Sequence, residues 1–548
     1  MIAVSRQQTA GAPIAVDRRE LALCAALAGL LCALFLVIVP AGGDLAAHIY
    51  RTWLVRQGVF VWDNLWFAGQ YPLFSYSLLY YLIAAVTGTT ALALVGIIVG
   101  AILFAALVLR EWGPLARWPA RSFAVLSTGQ FFTGAYPYVL GFAALLATLW
   151  SLQKRRLWLG GLFAVLTLGI SPLAFLFLVL ALLAVFLRTR RLNSAFAAAA
   201  IALAVGVGVE VGVLLMFPTP GLYYPYGLWR LLAGLGIAGV GAALAVRGRG
   251  GSSLALMFLV WAGATIAAYL VRSPVGHNIV RLDALVFPLM LLAASIARFR
   301  PRWLAAVALT AAFASNVVPY LTMIPDRTAD PTNQASFWSP SVRYLAAHAS
   351  GSAFRVEVVP TINHWESYYL PHAGFALARG WYRQLDMAAN PVLFADRLTP
   401  RSYRGWLRNA GVRFVVLPHA ALDQHEATRE ASLLTSGRSG LRRVFEDRSS
   451  SVFELGGASP ILTGPAPATV SILSPSRIAG RLNVPGTYLL RVHYTSYWQV
   501  KPGGLCLSPT RGGMTKLKAA KAGGFSLRAI ESPGALVGRL LDSDAACG

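Results

Sequence analysis

Twelve apolar runs punctuate the first 321 residues, at about 21–40, 73–86, 91–109, 122–133, 138–152, 157–170, 173–187, 193–217, 230–246, 252–271, 283–297 and 303–321. Many approach the ~20 residues an α-helix needs to cross a bilayer. Lipid offers backbone amides no partner, so such runs cross only as helices that satisfy their own hydrogen bonds. Composition agrees: 57% of the 548 residues are hydrophobic and 13% are charged, about half the charge of a soluble protein. The chain reads as a polytopic α-helical membrane protein. About twenty residues precede the first run, which is itself long enough to span, so no cleavable signal peptide is expected.

The net charge of +25 needs no nucleic-acid partner. Much of the excess sits between apolar runs, in Arg18-Arg19, Lys154-Arg155-Arg156, Arg188/Arg190/Arg191, Arg247/Arg249 and Arg298/Arg300/Arg302. That is the pattern of positive-inside topology. From Lys154 onward a basic cluster follows every second run, so each pair makes one excursion across the membrane and back. The last run leaves the cytosol after Arg302, which places residues 325–548 outside. A cytosolic N-terminus places residues 41–75 outside as well. Four crossings between 73 and 152 would put Lys154-Arg155-Arg156 on the wrong side. One of those runs is therefore expected to be a half-helix or part of a kinked span, broken at Gly134-Ala135-Tyr136-Pro137. The expected total is about eleven crossings.

After Pro325 the apolar runs shorten. FRVEVV (354–359) and RFVVLP (413–418) read as buried strands, 400–410 as an amphipathic helix and RRVFEDRSSSVFEL (442–455) as a hairpin. TVSIL (469–473) and GTYLLRVHYTSYWQV (486–500) alternate as antiparallel strands do. The expected domains are a membrane core at 1–324 carrying the loop 41–75, an α/β domain at 325–457 and a β-rich, sandwich-like module at 458–548. Cys24 and Cys32 fall in the first apolar run. Cys506 and Cys547 fall in the tail, where they can pair if it lies outside the cytosol.

Candidate chemistry concentrates in AGGDLAAHIYRTWLVRQGVFVWDNLWFAGQYPLFS (41–75). Asp44 and His48 are four apart and share a helix face. A carboxylate there can take a proton from an acceptor hydroxyl, with His48 holding it, binding phosphate or helping to bind a metal. It can equally be a helix cap beside an interfacial His. Arg51 and Arg56 suit a phosphate or snorkel to headgroups. Trp53, Trp62, Trp66, Tyr71 and Tyr76 suit sugar rings or an aromatic belt.

A second group, VRSPVGHNIVRLDAL (271–285), holds His277, Asn278 and Arg281. Arg281 can grip a phosphate bidentately, and an internal Arg281–Asp283 interaction is the alternative. NHWESYYLPHAGFALARGWYRQLD (363–386) gathers His364, Glu366, His372, Arg379, Arg383 and Asp386, either to close over a site or to serve a core. Glu210 is a lone carboxylate in an apolar span, which is costly and points to function. Lys516, Lys518 and Lys521 form a solvated face or lie near anionic envelope polymers. The sequence has no GxxxxGK[ST], HExxH or GxSxG motif and no dinucleotide-binding Gly-rich loop, so soluble nucleotide- or cofactor-driven chemistry is not indicated.

Taken in order, GDLAAH (43–48), WDNLWFAGQYP (62–72) and the many-helix core resemble the GT-C superfamily of integral membrane glycosyltransferases. NHWESYYLP (363–371) and ARGWYRQLD (378–386) resemble a tail of uncharacterised actinobacterial membrane proteins of this general group. The resemblance implies transfer of a sugar from a polyprenyl-phosphate carrier to a glycan, lipid or protein acceptor outside the cytosol. Asp44 would be the base, with His48 beside it. Arg281, Arg51 or His48 would meet the carrier phosphate, and Asp63, Tyr71, His277, Asn278, His364, Glu366 and Arg379 would complete the substrate site. The paired DxD or ExD signature is missing, since Leu45 and Ala46 follow Asp44, and so is the WWD-type tail motif. A divalent metal therefore stays open, and envelope mannosyl or arabinosyl transfer fits better than N-glycosylation. A transporter or flippase for a lipid-linked substrate, or a non-catalytic envelope scaffold, is the alternative.

Overall fold

The computed structural model describes residues 17–39, 42–73, 76–189, 194–219, 223–248, 251–297, 301–348, 353–501, 504–532, 534–536 and 538. Arg190, Arg191, Arg249, Arg298, Arg300 and Cys547 lie outside the described residues. The chain divides into two compact units, Met1–Gly42 with Tyr76–Thr328, and Gly43–Ser75 with Ala329–Gly548.

The first unit is helical. Among the described residues, seven stretches are long and apolar enough to cross a membrane: Arg18–Ile38, Thr89–Thr133, Pro172–Thr189, Leu228–Val246, Gly251–Leu270, Gly276–Ala297 and Arg302–Thr328. The chain is a multi-pass membrane protein. Other apolar runs fold as shorter pieces: Tyr80–Thr87 has 8 residues, and Leu157–Ile170 and Leu203–Met216 are apolar but short. The 45-residue stretch Thr89–Thr133 is itself composed of several helices, among them Thr89–Trp112 and Arg117–Leu126. The break expected near 134–137 is present. Gly134 stops one helix in the left-handed region at φ 69°, and Pro137 opens Tyr136–Gln153 in its first turn. Thr89–Trp112 packs closely on Tyr136–Gln153 through Gly96, where a Cβ would stand 3.1 Å from Val139 Cγ1 and 3.2 Å from the Leu140 backbone. Small residues permit such approach between membrane helices.

The second unit is built on three sheets. In the first, β1 (Arg355–Val358) runs parallel to β2 (Val412–Pro418), which pairs antiparallel with β4 (Ser450–Glu454), itself paired with β3 (Arg442–Glu446). A parallel pair needs a crossover, and residues 359–411 supply it with helices Glu366–His372, Arg383–Ala389 and Pro400–Ala410. Val359, Tyr403, Leu407, Val415, Leu434 and Phe453 fill the core beneath. The remaining strands are β5 (Leu462–Thr463), β6 (Ala468–Ser474), β7 (Arg477–Leu482), β8 (Gly486–His493), β9 (Trp498–Lys501), β10 (Leu505–Pro509), β11 (Met514–Ala519) and β12 (Gly523–Ala529). They form two antiparallel sheets, ordered β10-β11-β8-β5 and β6-β7-β12-β9. Alternation gives them a buried side that holds Ile478, Tyr488, Leu490, Leu517 and Leu527. Cys24 and Cys32 are free thiols, whereas Cys506 is disulfide-bonded.

Residues 43–75 are an integral part of this unit. Helix Leu45–Arg56 leads into a turn in which Asp63 and Gln70 exchange backbone hydrogen bonds of 2.9 and 3.0 Å. Phe67, Ala68 and Gly69 all take positive φ there. The turn is joined to distant chain by backbone bonds: Asn64 N–H to Pro475 O at 2.8 Å, Leu377 N–H to Leu65 O at 2.7 Å and His493 N–H to Ala68 O at 2.7 Å. Phe60 and Val61 N–H donate to Glu531 Oε2 at 2.7 and 2.8 Å. Trp62 and Trp66 are fully buried. A side chain at Gly380 would strike the Trp66 indole, which explains glycine at that position.

Candidate functional site

Asp44 sits at the N-cap of helix Leu45–Arg56, yet its side chain makes no capping hydrogen bond. Asp44 Oδ1 instead accepts from Trp381 Nε1 at 3.1 Å. The carboxylate is half-buried. The helix-cap alternative is thus not the arrangement adopted.

The Trp381 indole carries His364 flat on one surface, with ring centroids 3.3 Å apart and planes 8° from parallel. The Arg383 guanidinium lies 5.7 Å from the indole centroid. Backbone pairing brings these residues together. Thr361 bridges Leu422, Ile362 N–H donates to Ala421 O at 2.9 Å and Asp423 N–H donates to Pro360 O at 2.9 Å. Asp423 is thereby placed 3.6 Å from His364 Nε2 and in an ion pair with Arg383. His364 itself has φ 56°, a left-handed conformation that costs a non-glycine residue about 1–3 kcal/mol. The neighbouring Asn363 accepts from Gly43 N–H at 3.2 Å and donates to Asp330 at 2.7 Å. Gly43 is thus tied to Asn363, and Asp44 to the indole that stacks on His364.

His364 and Glu366 are both buried, 3.2 Å apart between Nδ1 and Oε1. Burial lowers the imidazole to about 4, against opposing pull from Asp423. Burial raises Glu366 to about 7, although Thr361 Oγ1 donates to its Oε2 at 2.6 Å. Between about pH 4 and 7 a neutral imidazole therefore faces a carboxyl that keeps its proton.

The other expected site residues scatter. Arg51 is buried with its guanidinium 5.4 Å from the Tyr382 ring centroid, one residue from Trp381. His48 is buried on the same helix. Asp63, expected to touch substrate, is fully buried inside the turn. It accepts from Tyr50 OH at 3.1 Å on both oxygens and from Leu65 N–H at 2.9 Å, and burial raises it to about 6. Tyr71 is likewise interior, 3.0 Å from Thr495 Oγ1. Arg379 lies in a buried ionic cluster, bonded to Glu357 at 2.6 Å and Glu430 at 2.7 Å and 3.5 Å from Asp386. Tyr403 OH donates to Glu430 at 2.6 Å. These three expected ligands are structural anchors here because their polar atoms serve interior partners.

His277, Asn278 and Arg281 belong to the membrane unit, on the 3-10 segment Gly276–Leu285. Asn278 Oδ1 accepts from Arg281 Nε at 3.4 Å, and the guanidinium lies 5.5 Å from the Tyr138 ring centroid. His277 lies 5.1 Å from the Tyr224 ring. Glu210 is half-exposed on helix Ser194–Met216. Among the described residues, no group of three or more His, Cys, Asp or Glu could hold a metal ion.

Trp381, Asn363 and Asp423 were not singled out from the sequence. Trp381 stood within the aromatic segment 363–386, so density was its signal. Asp423 had none, because its place depends on the pairing of 360–362 with 421–423.

No protein-family model matches this chain, and no curated protein does. Among solved structures, similarity is found to the arabinofuranosyltransferase AftD from Mycobacteria, at 17% identity and TM-score 0.45, covering 81% of this chain and 40% of that one. Two classes of a mutant AftD give 13% and 0.46, covering 94% and 60%, and 16% and 0.45, covering 81% and 42%. This chain thus spans about 40 to 60% of the length of those structures.

Proposed function

We propose that this protein is a plasma-membrane glycosyltransferase that moves a sugar from a polyprenyl-phosphate donor to an acceptor, with Asp44 as general base. The observation that carries the reading is the Asp44 carboxylate, half-buried, released from capping its own helix and aimed by the Trp381 indole N–H. In the reaction the acceptor hydroxyl gives its proton to Asp44 while its oxygen forms a bond to the sugar C1. The bond from C1 to the phosphate oxygen breaks, and the polyprenyl phosphate leaves with the electron pair. The Trp381–His364 stack positions the carboxylate, and Arg51 meets phosphate charge. His48 supports the base.

The second unit is assigned to the extracytoplasmic side. The basic clusters between spans and the disulfide at Cys506 both favour that side.

The test is turnover of labelled polyprenyl-phosphate hexoses and pentoses by the purified full-length protein in nanodiscs. Asp44→Asn is expected to lower kcat by at least about 100-fold with an unchanged melting temperature. Undiminished turnover in that variant would reject Asp44 as the base.

A further inference from the structure

Residues 456–530, which hold β5 to β12, contain nine Lys or Arg and no Asp or Glu. Among the described residues none of the nine forms an ion pair. The first acid after the module, Glu531, accepts from the Phe60 and Val61 amides through Oε2 and also feels the charge of Arg528.

Strand register concentrates this charge on one face. Arg477 of β7 stands directly opposite Arg528 of β12, and Arg528 opposite Gln499 of β9. Lys501 stands opposite Ser526, and Arg481 opposite Gly524. All four cations are exposed, while the alternating Ile478, Leu482, Phe525 and Leu527 are buried. Like charges in direct register destabilise a sheet; the strands themselves hold no acid, and Glu531 just beyond β12 offsets Arg528 in part. An external polyanion would offset the rest.

The four cations surround a floor of small residues, Ala479, Gly524 and Ser526. At strand geometry Arg477 and Arg481 stand about 13 Å apart along β7, with neighbouring strands about 4.8 Å away. A single extended polymer can therefore meet several of them at once. Among the described residues, the one large apolar side chain exposed on this face is Ile472 of β6, opposite Ala479. A single aliphatic residue is too little to anchor a membrane-inserting surface, and no aromatic ring is exposed there to stack on a single strand. The disulfide at Cys506 fits an oxidising compartment.

We propose that the β7–β12–β9 face docks a polyanionic carbohydrate polymer bearing repeated phosphate or carboxylate groups. This goes beyond the transferase reading and uses none of its residues.

The experiment measures binding of the full chain, in uncharged nanodiscs, to poly(glycerol phosphate), to polygalacturonate and to neutral dextran. Binding to the two anionic polymers that weakens as salt rises is expected, with none to dextran. Arg477→Ser, Lys501→Ser and Arg528→Ser combined are expected to weaken it at least about ten-fold, leaving sugar transfer and melting temperature unchanged. The control Lys516→Ser/Lys518→Ser, on the other sheet, is expected to change it less than about two-fold. Should the triple variant melt early, the single charge reversal Arg528→Glu gives the same reading. The proposal falls if neither polymer binds or the triple variant binds undiminished. It falls too if phosphatidylglycerol vesicles or single-stranded DNA bind more tightly than both polymers, since the face would then serve a membrane or a nucleic acid.

Discussion

The imidazole of His364 lies parallel to the Trp381 indole at 3.3 Å between centroids, and the same indole donates its N–H to Asp44. One ring thus couples a strained, buried histidine to a half-buried carboxylate. Replacing Trp381 by Phe keeps a ring under His364 and deletes only the donor. A hydrogen bond to a charged group contributes about 1.5–3 kcal/mol, so kcat is expected to fall at least about ten-fold. Single-turnover kinetics beside a thermal melt would separate this from unfolding. An unchanged rate would show that the indole N–H does not aim the base.

The His364–Glu366 pair makes opposed contributions to pH-dependent stability. Burial places His364 at about 4 in the fold, so between about 4 and its unfolded value near 6.5 the unfolded chain binds more protons and stability rises with pH. Burial places Glu366 at about 7, so between its unfolded value near 4.5 and about 7 the folded chain binds more protons and stability falls with pH. In the wild type the two largely cancel between about 4.5 and 6.5. His364→Gln should therefore expose a stability that declines from pH 4.5 to 7, and Glu366→Gln one that climbs from pH 4 to 6.5, each by up to about 3 kcal/mol. Melting temperatures across that range provide the check. Parallel profiles in all three proteins would contradict these opposed shifts.

Arg379 faces three buried carboxylates, Glu357, Glu430 and Asp386. Arg379→Leu strands them together and should cost about 3–5 kcal/mol, read as a large drop in thermal midpoint. Burial and the neighbouring Glu430 hold the Glu357 carboxyl well above the usual range, despite the opposing charge of Arg379. Glu357→Gln should therefore cost less than about 1 kcal/mol. Equal losses would mean that Glu357 is ionised in the fold.

Local signals in the tail were legible. RFVVLP became β2, FRVEVV became β1, the 442–455 segment became the β3–β4 hairpin and 400–410 became a helix. Each followed from residues adjacent in sequence. The loop 41–75 was legible as important, but its aromatics suited either sugar rings or an interfacial belt. Trp62, Trp66 and Tyr71 are instead interior to the second unit. Aromatic density looks the same whether solvent, lipid or distant chain covers it, and here the cover comes from Ser367, Thr495 and Trp498. Asp44 stood out through its position, whereas Asp423 could not, because pairing between 360–362 and 421–423 is a tertiary fact.

The stitching of residues 60–71 to partners 301, 424 and 471 positions downstream sets a timetable for biogenesis. At about 5–20 residues per second of translation, the early segment waits tens of seconds for the chain that will cover it. Throughout that interval its tryptophans are uncovered, which is when a chaperone or a protease would meet them. A ribosome stalled near the end of the membrane helices would release a product with this segment still unclothed. Co-expressing 1–328 with 329–548 as separate pieces would show whether the late fragment can rescue the early one in trans.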